Sequence, residues 1–291
     1  MTTTPGTAAV AGLAILVAGC AREPSKESSV APRVELTLGM RGKTVAAPSL
    51  PELQKLGAER VTVRDPHEHR AIELDGVRAT TLFDALLGPG WREEEEVVAT
   101  CTDGFHPSIP VRDFLEHEAY VAYARPGSAD FAVQEEPTKR TPVGPYYLVW
   151  EKGTGDDPPE PMWPYQVTGL EVTNFATRFA AAIPPPAAPP LAREGFERFR
   201  TFCLPCHTIN GSGGVVGPEL NYPVSVTEYF AEPVLRRWIA DPSAVRWNTK
   251  MPVPLPPGEG QGATIDAIVA YLKAMASAKQ RPIGPPSPER R

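Results

Sequence analysis

The stretch Cys203-Leu204-Pro205-Cys206-His207 decides how this 291-residue chain is interpreted. Two cysteines separated by two residues and followed at once by a histidine form the attachment signature of a c-type haem. The two thiols can form thioethers with the vinyl groups of one porphyrin, and the adjacent imidazole can bind the iron. The signature therefore predicts one covalent haem, held by Cys203 and Cys206, with His207 as an axial iron ligand.

Two other kinds of site also use a C-x-x-C pair. A structural zinc site needs a second pair of ligands, which the sequence does not supply. A thioredoxin-like redox pair does not require the histidine that follows the second cysteine. The haem is therefore the preferred interpretation of the stretch.

The residues around this stretch resemble class I cytochromes c. Gly195 and Phe199 stand eight and four residues before the first cysteine, where that family has a glycine and an aromatic on its N-terminal helix. Gly217-Pro218-Glu219-Leu220 is similar to the family's G-P-x-L turn. The resemblance implies that the carbonyl of Pro218 accepts a hydrogen bond from the imidazole of His207 and so orients the ring.

The same resemblance supplies the expected sixth iron ligand. Asn248-Thr249-Lys250-Met251-Pro252 is similar to the family's N-x-x-M-P loop, which implies that Met251 binds the iron and that Trp238 and Asn248 lie near the haem. A buried methionine is otherwise usually a packing residue. Ligation by histidine and methionine raises the reduction potential and leaves no open position on the iron, which favours electron transfer over haem-centred catalysis.

Apolar periodicity predicts three helices in the C-terminal region, over about 191–202, 227–240 and 264–276. Between the first two, Gly211, Gly213 and Gly214 indicate a flexible loop. These elements predict an all-α haem domain over 191–278.

Proline content marks the expected boundaries between domains. The chain has 35 prolines, and a proline-rich run predicts a stiff linker over 179–190, with a disordered tail over 279–291. The linker would divide the haem domain from an N-terminal domain over 33–178. A net charge of −6 and the lack of a basic patch argue against a nucleic-acid partner.

The N-terminus carries an apolar run that ends in Val17-Ala18-Gly19-Cys20. This run resembles a bacterial lipoprotein signal over 1–20, in which Cys20 is acylated, with 21–32 as a flexible tether. Residues 1–12 contain no Lys or Arg, which departs from the usual signal, and a cleaved ordinary signal or an uncleaved anchor is the alternative. We expect a lipid anchor on the periplasmic side of a bacterial membrane, with the outer membrane favoured.

Strands and short helices alternate over the N-terminal domain and predict a mixed α+β fold, with Asp75-Gly76 as a hairpin turn. The order of elements resembles the sulfite-oxidase-type molybdopterin-binding fold. That resemblance implies that Cys101, in a loop after a strand, is where catalytic members bind molybdenum. The extensive basic and polar cradle for the pterin is missing, so we expect a relative without molybdopterin, in which Cys101 is a small buried residue.

Two functions follow from these predictions. The first is a membrane-tethered electron carrier that exchanges single electrons with other redox proteins through the haem, rather than an enzyme. The second is a molybdenum oxidoreductase that acts on a small anion such as sulfite, with Cys101 as the molybdenum ligand and the haem as electron acceptor.

Overall fold

The computed structural model describes residues 1–2, 34–136, 139–151 and 163–282. The predicted signal peptide, Cys20, the tether and most of the C-terminal tail lie outside the described residues. Residues 33–291 group into one compact unit, and the predicted linker at 179–190 stays a prediction. No helix of the described residues is long and apolar enough to cross a membrane.

The described part of the chain forms thirteen strands and eight α-helices. The strands are β1 (Thr37–Met40), β2 (Lys43–Ala46), β3 (Ala58–Asp65), β4 (Arg70–Arg78), β5 (Glu96–Cys101), β6 (Ser108–Pro110), β7 (Ala119–Ala124), β8 (Ala132–Glu136), β9 (Lys139–Pro142), β10 (Tyr147–Trp150), β11 (Val167–Thr173), β12 (Thr208–Ile209) and β13 (Ser212–Gly213). The helices are α1 (Leu50–Lys55), α2 (Ala79–Leu87), α3 (Val111–Glu116), α4 (Phe175–Arg178), α5 (Pro190–Phe202), α6 (Val226–Tyr229), α7 (Glu232–Ala240) and α8 (Gln261–Ala276).

Two sheets carry the first half of the chain. One has the order β2-β1-β11-β5-β6 and the other β10-β7-β4-β3, and the single parallel pair between these strands is β1 with β11. Helix α2 contacts strands of both sheets and buries Leu82 and Phe83 in a common apolar core. The prediction of a mixed α+β fold with several sheets is confirmed.

The turn between β3 and β4 is not where the sequence placed it. Strand β4 continues through Asp75 and Gly76, so the predicted hairpin turn there is wrong. The chain reverses instead just after β3, where the buried carboxylate of Asp65 accepts hydrogen bonds from the backbone N–H groups of His67 and Glu68. Glycine suits this position of the strand, because a Cβ on residue 76 would stand 3.0 Å from the carbonyl oxygen of Val121 on β7.

The C-terminal region departs from the all-α domain that the class I cytochrome c resemblance implies. Strands β12 and β13 form a two-stranded sheet, because Asn210 and Gly211 both adopt positive φ angles of 54° and 81° and close a two-residue turn. The predicted helix over 227–240 is also broken, since α6 ends at Tyr229 and α7 begins at Glu232 with Pro233 in its first turn. The expectation of an all-α domain is corrected on both points.

Helices α5 and α8 cross at a glycine. A Cβ on Gly195 would overlap the carbonyl group of Ala267 in α8, so only glycine allows the two backbones to approach this closely. Around the crossing, Phe199 of α5 packs against Tyr271 of α8 with ring centroids 4.9 Å apart. The hydroxyl of Tyr271 donates a 2.6 Å hydrogen bond to the carbonyl of Ala182.

The two halves of the unit are joined through β5 and the loop after it. Arg200 of α5 forms an ion pair with Glu96 of β5, and its guanidinium lies 3.9 Å from the centroid of the Phe175 ring. Val98 of β5 packs into the apolar cluster of the C-terminal helices. These contacts bring the end of β5 against the segment that follows α5.

Candidate functional site

The two cysteines of the C-x-x-C stretch lie where α5 ends. The carbonyl of Cys203 accepts hydrogen bonds from the backbone N–H groups of Cys206 (3.1 Å) and His207 (2.9 Å), which folds the stretch into one turn. Cys203 is buried and Cys206 is half-buried, and both carry free thiols. The turn therefore presents both sulfurs and the imidazole from five consecutive residues.

Burial controls the protonation of these thiols. It raises the pKa of Cys203 to about 12 and that of Cys206 to about 11, with smaller contributions from the neighbouring Cys206 and from Asp103, respectively. Reactive redox pairs need a lowered thiol pKa, which exposes a thiolate near neutral pH. The raised pKa values therefore argue against a thioredoxin-like redox pair.

The imidazole of His207 is held in one orientation and one tautomer. Its Nδ1 lies 2.9 Å from the carbonyl oxygen of Pro218, and a carbonyl can only accept, so Nδ1 carries the proton. Burial lowers the pKa of His207, against the opposing effects of the Pro218 bond and of Glu219. The ring is therefore neutral near pH 7, with the lone pair of Nε2 available to a metal.

The backbone next to Pro218 is fitted to the imidazole. A Cβ on Gly217 would overlap Cε1 and Nδ1 of His207, so a side chain at this position would displace the ring. The N–H of Gly217 donates a 2.7 Å hydrogen bond to the carbonyl of Cys206. Together with the Pro218 bond, this contact ties the turn to the C-x-x-C-H stretch, and the residues present fit a histidine-ligated haem.

Glu219 anchors the turn that carries Pro218. Its Oε1 accepts hydrogen bonds from the backbone N–H groups of Asn210 (2.8 Å), Asn221 (2.8 Å) and Tyr222 (3.1 Å), and its Oε2 accepts one from Gly211 (2.8 Å). One carboxylate thus satisfies four donors on both sides of the loop. Charge-assisted bonds to backbone N–H groups are among the stronger hydrogen bonds in proteins.

Two asparagines extend this anchor to the rest of the C-terminal region. The side-chain nitrogen of Asn221 donates to Oδ1 of Asn210 (2.9 Å) and to the carbonyl of Met275 (2.8 Å). The side-chain nitrogen of Asn210 donates to the carbonyls of Ala181 (3.0 Å) and Ala278 (3.1 Å). The loop that orients His207 is therefore fixed to the end of α8 and to the segment before α5.

Loss of the Glu219 carboxylate should loosen this region. Glu219→Ala leaves four backbone donors without their acceptor, and we expect the free energy of unfolding to fall by about 2 kcal/mol, since water reaches only part of the loop. Glu219→Gln keeps one acceptor oxygen and should lose less. Urea denaturation followed by circular dichroism measures both. The exposed Glu259→Ala is the control, and equal midpoints for Glu219→Ala and Glu259→Ala would contradict the anchor.

Trp238 and Met251 contact each other. The indole Nε1 of Trp238 lies 3.0 Å from Sδ of the half-buried Met251 and donates to it, while the Trp238 ring packs against Phe230 with centroids 5.9 Å apart. A thioether sulfur has a second lone pair, so this bond leaves Met251 able to bind a metal. Asn248 is exposed with a φ of 58°, and its place near a haem stays a prediction.

An apolar cluster connects the pieces of the site. Cys203 and Leu204 belong to it, and Phe230, which packs against Trp238, and Leu220, which follows Glu219, border it. Apolar walls with a few placed polar groups are the usual lining of a cofactor site. The structure thus brings the sequence-predicted residues together in two pairs, His207 with Pro218 and Trp238 with Met251.

Cys101 is the last residue of β5. It is buried, and burial raises the pKa of its thiol, with a further contribution from Asp103. No group of three or more His, Cys, Asp and Glu side chains is placed to hold a metal ion in the described parts of the chain. A haem iron takes four ligands from its porphyrin, so that finding does not bear on it. Whether Cys101 binds molybdenum is untested by these contacts.

No protein-family model matches this chain. No curated protein matches it either. The resemblances to class I cytochromes c and to the sulfite-oxidase-type molybdopterin-binding fold are therefore corrected, and the chain is assigned to neither family. Short motifs recur on unrelated folds, so a five-residue stretch and a four-residue turn do not establish a family. What residues 203–207 can do chemically is therefore argued from those residues and their contacts.

The sequence interpretation missed the polar residues that support the site. Glu219 was noticed only as the variable position of a turn, and the asparagines Asn210 and Asn221 were not noticed at all. One signal was available. An Asn-Gly dipeptide favours a two-residue hairpin turn, and Asn210-Gly211 stands between the two strands β12 and β13. No sequence pattern indicates that the backbone N–H groups of Asn210 and Gly211 donate to the carboxylate of Glu219, nine and eight residues later.

Proposed function

We propose that this protein binds one haem covalently through Cys203 and Cys206 and carries single electrons. The observation that supports it best is the buried, neutral imidazole of His207, held through Nδ1 by the carbonyl of Pro218 and adjacent in sequence to the protonated thiols of the buried Cys203 and the half-buried Cys206. A metal-binding histidine is usually fixed in this way by a partner on its second nitrogen.

Each residue has a defined part in this proposal. The bound haem supplies a one-electron iron couple. Cys203 and Cys206 hold the porphyrin by thioethers, His207 offers Nε2 to the iron, and Pro218 keeps the ring in that orientation. Met251 offers its thioether sulfur, a neutral ligand that favours the ferrous state. The apolar cluster excludes water, which protects the couple from side reactions.

The location follows from the sequence. Cys20 would be acylated and would tether the protein to the periplasmic side of a bacterial membrane, with the outer membrane favoured and residues 21–32 as the spacer. The partners would be other redox proteins. Covalent attachment of haem to a C-x-x-C-H stretch takes place outside the cytoplasm in bacteria, so the two sequence signals agree.

The visible spectrum of the protein produced with haem-attachment machinery tests the proposal. We expect iron at about one atom per chain and a low-spin spectrum. Met251→Ala should remove the thioether ligand, turn the ferric protein high-spin and lower the reduction potential, because a neutral soft ligand has been lost. Met40→Ala, in strand β1, is the matched control and should change neither. An unaltered spectrum in Met251→Ala would show that another group is the sixth ligand, and absence of iron would overturn the function.

A further inference from the structure

The haem-attachment stretch is covered by the first half of the chain. The backbone N–H of His106 donates a 2.9 Å hydrogen bond to the carbonyl of Pro205, between the two attachment cysteines. The N–H of Val215 donates a 2.8 Å bond to the carbonyl of Gly104. The loop after β5 therefore occupies this side of the site, and a partner protein would have to displace it to dock there.

The segment around Met251 is open by comparison. Trp247 is 89% exposed and Val253 is 55% exposed, four residues before and two residues after Met251. Within the part of the chain that the structure describes, no hydrogen bond or ion pair joins residues 245–253 to residues 34–178. Tryptophan is among the residue types enriched at protein–protein interfaces, and here it is exposed four residues from a candidate iron ligand.

The charges on this segment are all positive and unneutralised. Arg246 and Lys250 are exposed on it, and the exposed Arg237 reaches it with a 3.4 Å hydrogen bond to the carbonyl of Ala244. Among the described residues these three cations form no ion pair, whereas the nearby cations Arg236 and Lys273 are paired with Asp266 and Glu232. These three unpaired cations stand on a chain whose net charge is −6.

The geometry points to residues 246–253 as the docking surface for an electron-transfer protein with an acidic face. This inference rests on the proposed haem function and adds the side of the site on which the exchange takes place. Arg246, Lys250 and Arg237 attract the partner, and Trp247 supplies the apolar contact at the centre of the interface. A bound haem would exchange one electron with the partner, its iron changing between iron(II) and iron(III) as the partner gains or loses that electron, and no proton would be transferred.

Oxidation of the reduced, haem-loaded protein by two small reagents of opposite charge tests whether the cations of residues 246–253 act on electron transfer. Hexacyanoferrate(III) is an anion that becomes hexacyanoferrate(II), and tris(phenanthroline)cobalt(III) is a cation that becomes cobalt(II), each by one electron. In Arg246→Glu/Lys250→Glu we expect the rate with the anion to fall about tenfold at low ionic strength and the rate with the cation to rise. The control Lys55→Glu/Arg64→Glu reverses two exposed cations on the first half of the chain and should leave the ratio of the two rates unchanged.

Binding provides a second measurement that does not depend on electron transfer. Isothermal titration with an acidic blue-copper protein should show weaker binding for Arg246→Glu/Lys250→Glu and for Trp247→Ala, while Trp247→Ala leaves both small-reagent rates unchanged. Phosphatidylglycerol vesicles are the competing occupant. Loss of vesicle binding in Arg246→Glu/Lys250→Glu, together with unchanged binding of the copper protein, would overturn the inference, because these cations would then bind the membrane surface.

The outcomes separate this inference from the function on which it rests. A colourless protein overturns both. A coloured protein whose rate ratio changes equally in both double variants overturns the docking surface alone, since it would show a general charge effect. A change confined to Arg246→Glu/Lys250→Glu, with weaker binding of the acidic copper protein, supports it.

Discussion

Cys203→Ser/Cys206→Ser is expected to contain no covalently bound haem at all. A thioether forms when a cysteine sulfur adds to a vinyl group of the porphyrin, and a serine hydroxyl does not make this bond under the same conditions. Both attachment points lie in one turn at the end of α5, and Cys101, on β5, is the one other cysteine of the described residues. The expected loss is complete, not partial.

Haem staining of a denaturing gel and extraction with acidified acetone measure this directly. Pigment should stay with the wild-type protein through extraction and should leave the double variant entirely. Cys206→Ser alone should keep one thioether and part of the stain. Cys101→Ala is the matched control, because it removes a buried cysteine outside the stretch and should keep the full stain. Pigment that survives extraction in the double variant would refute covalent attachment at these residues.

The sequence predicted the hydrogen bond between His207 and Pro218, but it did not predict the contacts around that bond. The C-x-x-C-H stretch and the Pro218 position are readable because consecutive residues and a short turn determine them. The anchoring of that turn by Glu219 is not readable, because its four donors come together only after the Asn210-Gly211 turn has folded back. The glycines predicted to form a flexible loop are in fact fixed, and a Cβ on Gly214 would overlap the carbonyl of Pro205.

Tertiary contacts also explain why local signals failed elsewhere. Asp75-Gly76 has the composition of a hairpin turn, yet it lies inside β4, where the close approach of β7 requires a glycine. The helix expected over 227–240 has the right apolar spacing, but Pro233 starts a new helix and interrupts the first. Periodicity identifies the buried face of a segment, while breaks and close approaches depend on what packs against it.

The packing of the first half of the chain on the attachment stretch had no sequence signal either. It depends on single backbone bonds, such as that from His106 to Pro205, and on the ion pair of Arg200 with Glu96. These residues are 99 and 104 positions apart in the sequence. The linker that the proline-rich run before α5 predicts stays a prediction, and residues 33–291 group into one compact unit.

Gly195→Ala is expected to lower the free energy of unfolding by about 3 kcal/mol or more, although alanine is the better helix former. In an exposed helix this substitution stabilises by up to about 1 kcal/mol. At Gly195 the new methyl group would overlap the carbonyl of Ala267 and stand 3.0 Å from the N–H nitrogen of Ile268, so α5 and α8 must move apart. Overpacking of this kind commonly costs about 1–3 kcal/mol, and here the obstacle is backbone, which cannot rotate away.

The separation would spread to the aromatic contacts at the crossing. The ring of Tyr271 packs against Phe199 at 4.9 Å and against Phe196 at 5.6 Å, and its hydroxyl reaches the carbonyl of Ala182. The two ring contacts depend on the distance between α5 and α8. We therefore expect a lower denaturation midpoint both with and without haem. We also expect Cys203, which directly follows α5, to be held less rigidly.

Gly262→Ala is the matched control for this prediction. It makes the same substitution in α8, where a Cβ would meet nothing within 4 Å, so stability should be unchanged or slightly increased. Urea denaturation of the haem-free proteins, followed by circular dichroism, compares the two variants without any contribution from cofactor binding. Opposite signs for Gly195→Ala and Gly262→Ala would locate the closest helix contact of the C-terminal region at this crossing, and equal signs would show that the helices adjust to the extra methyl group.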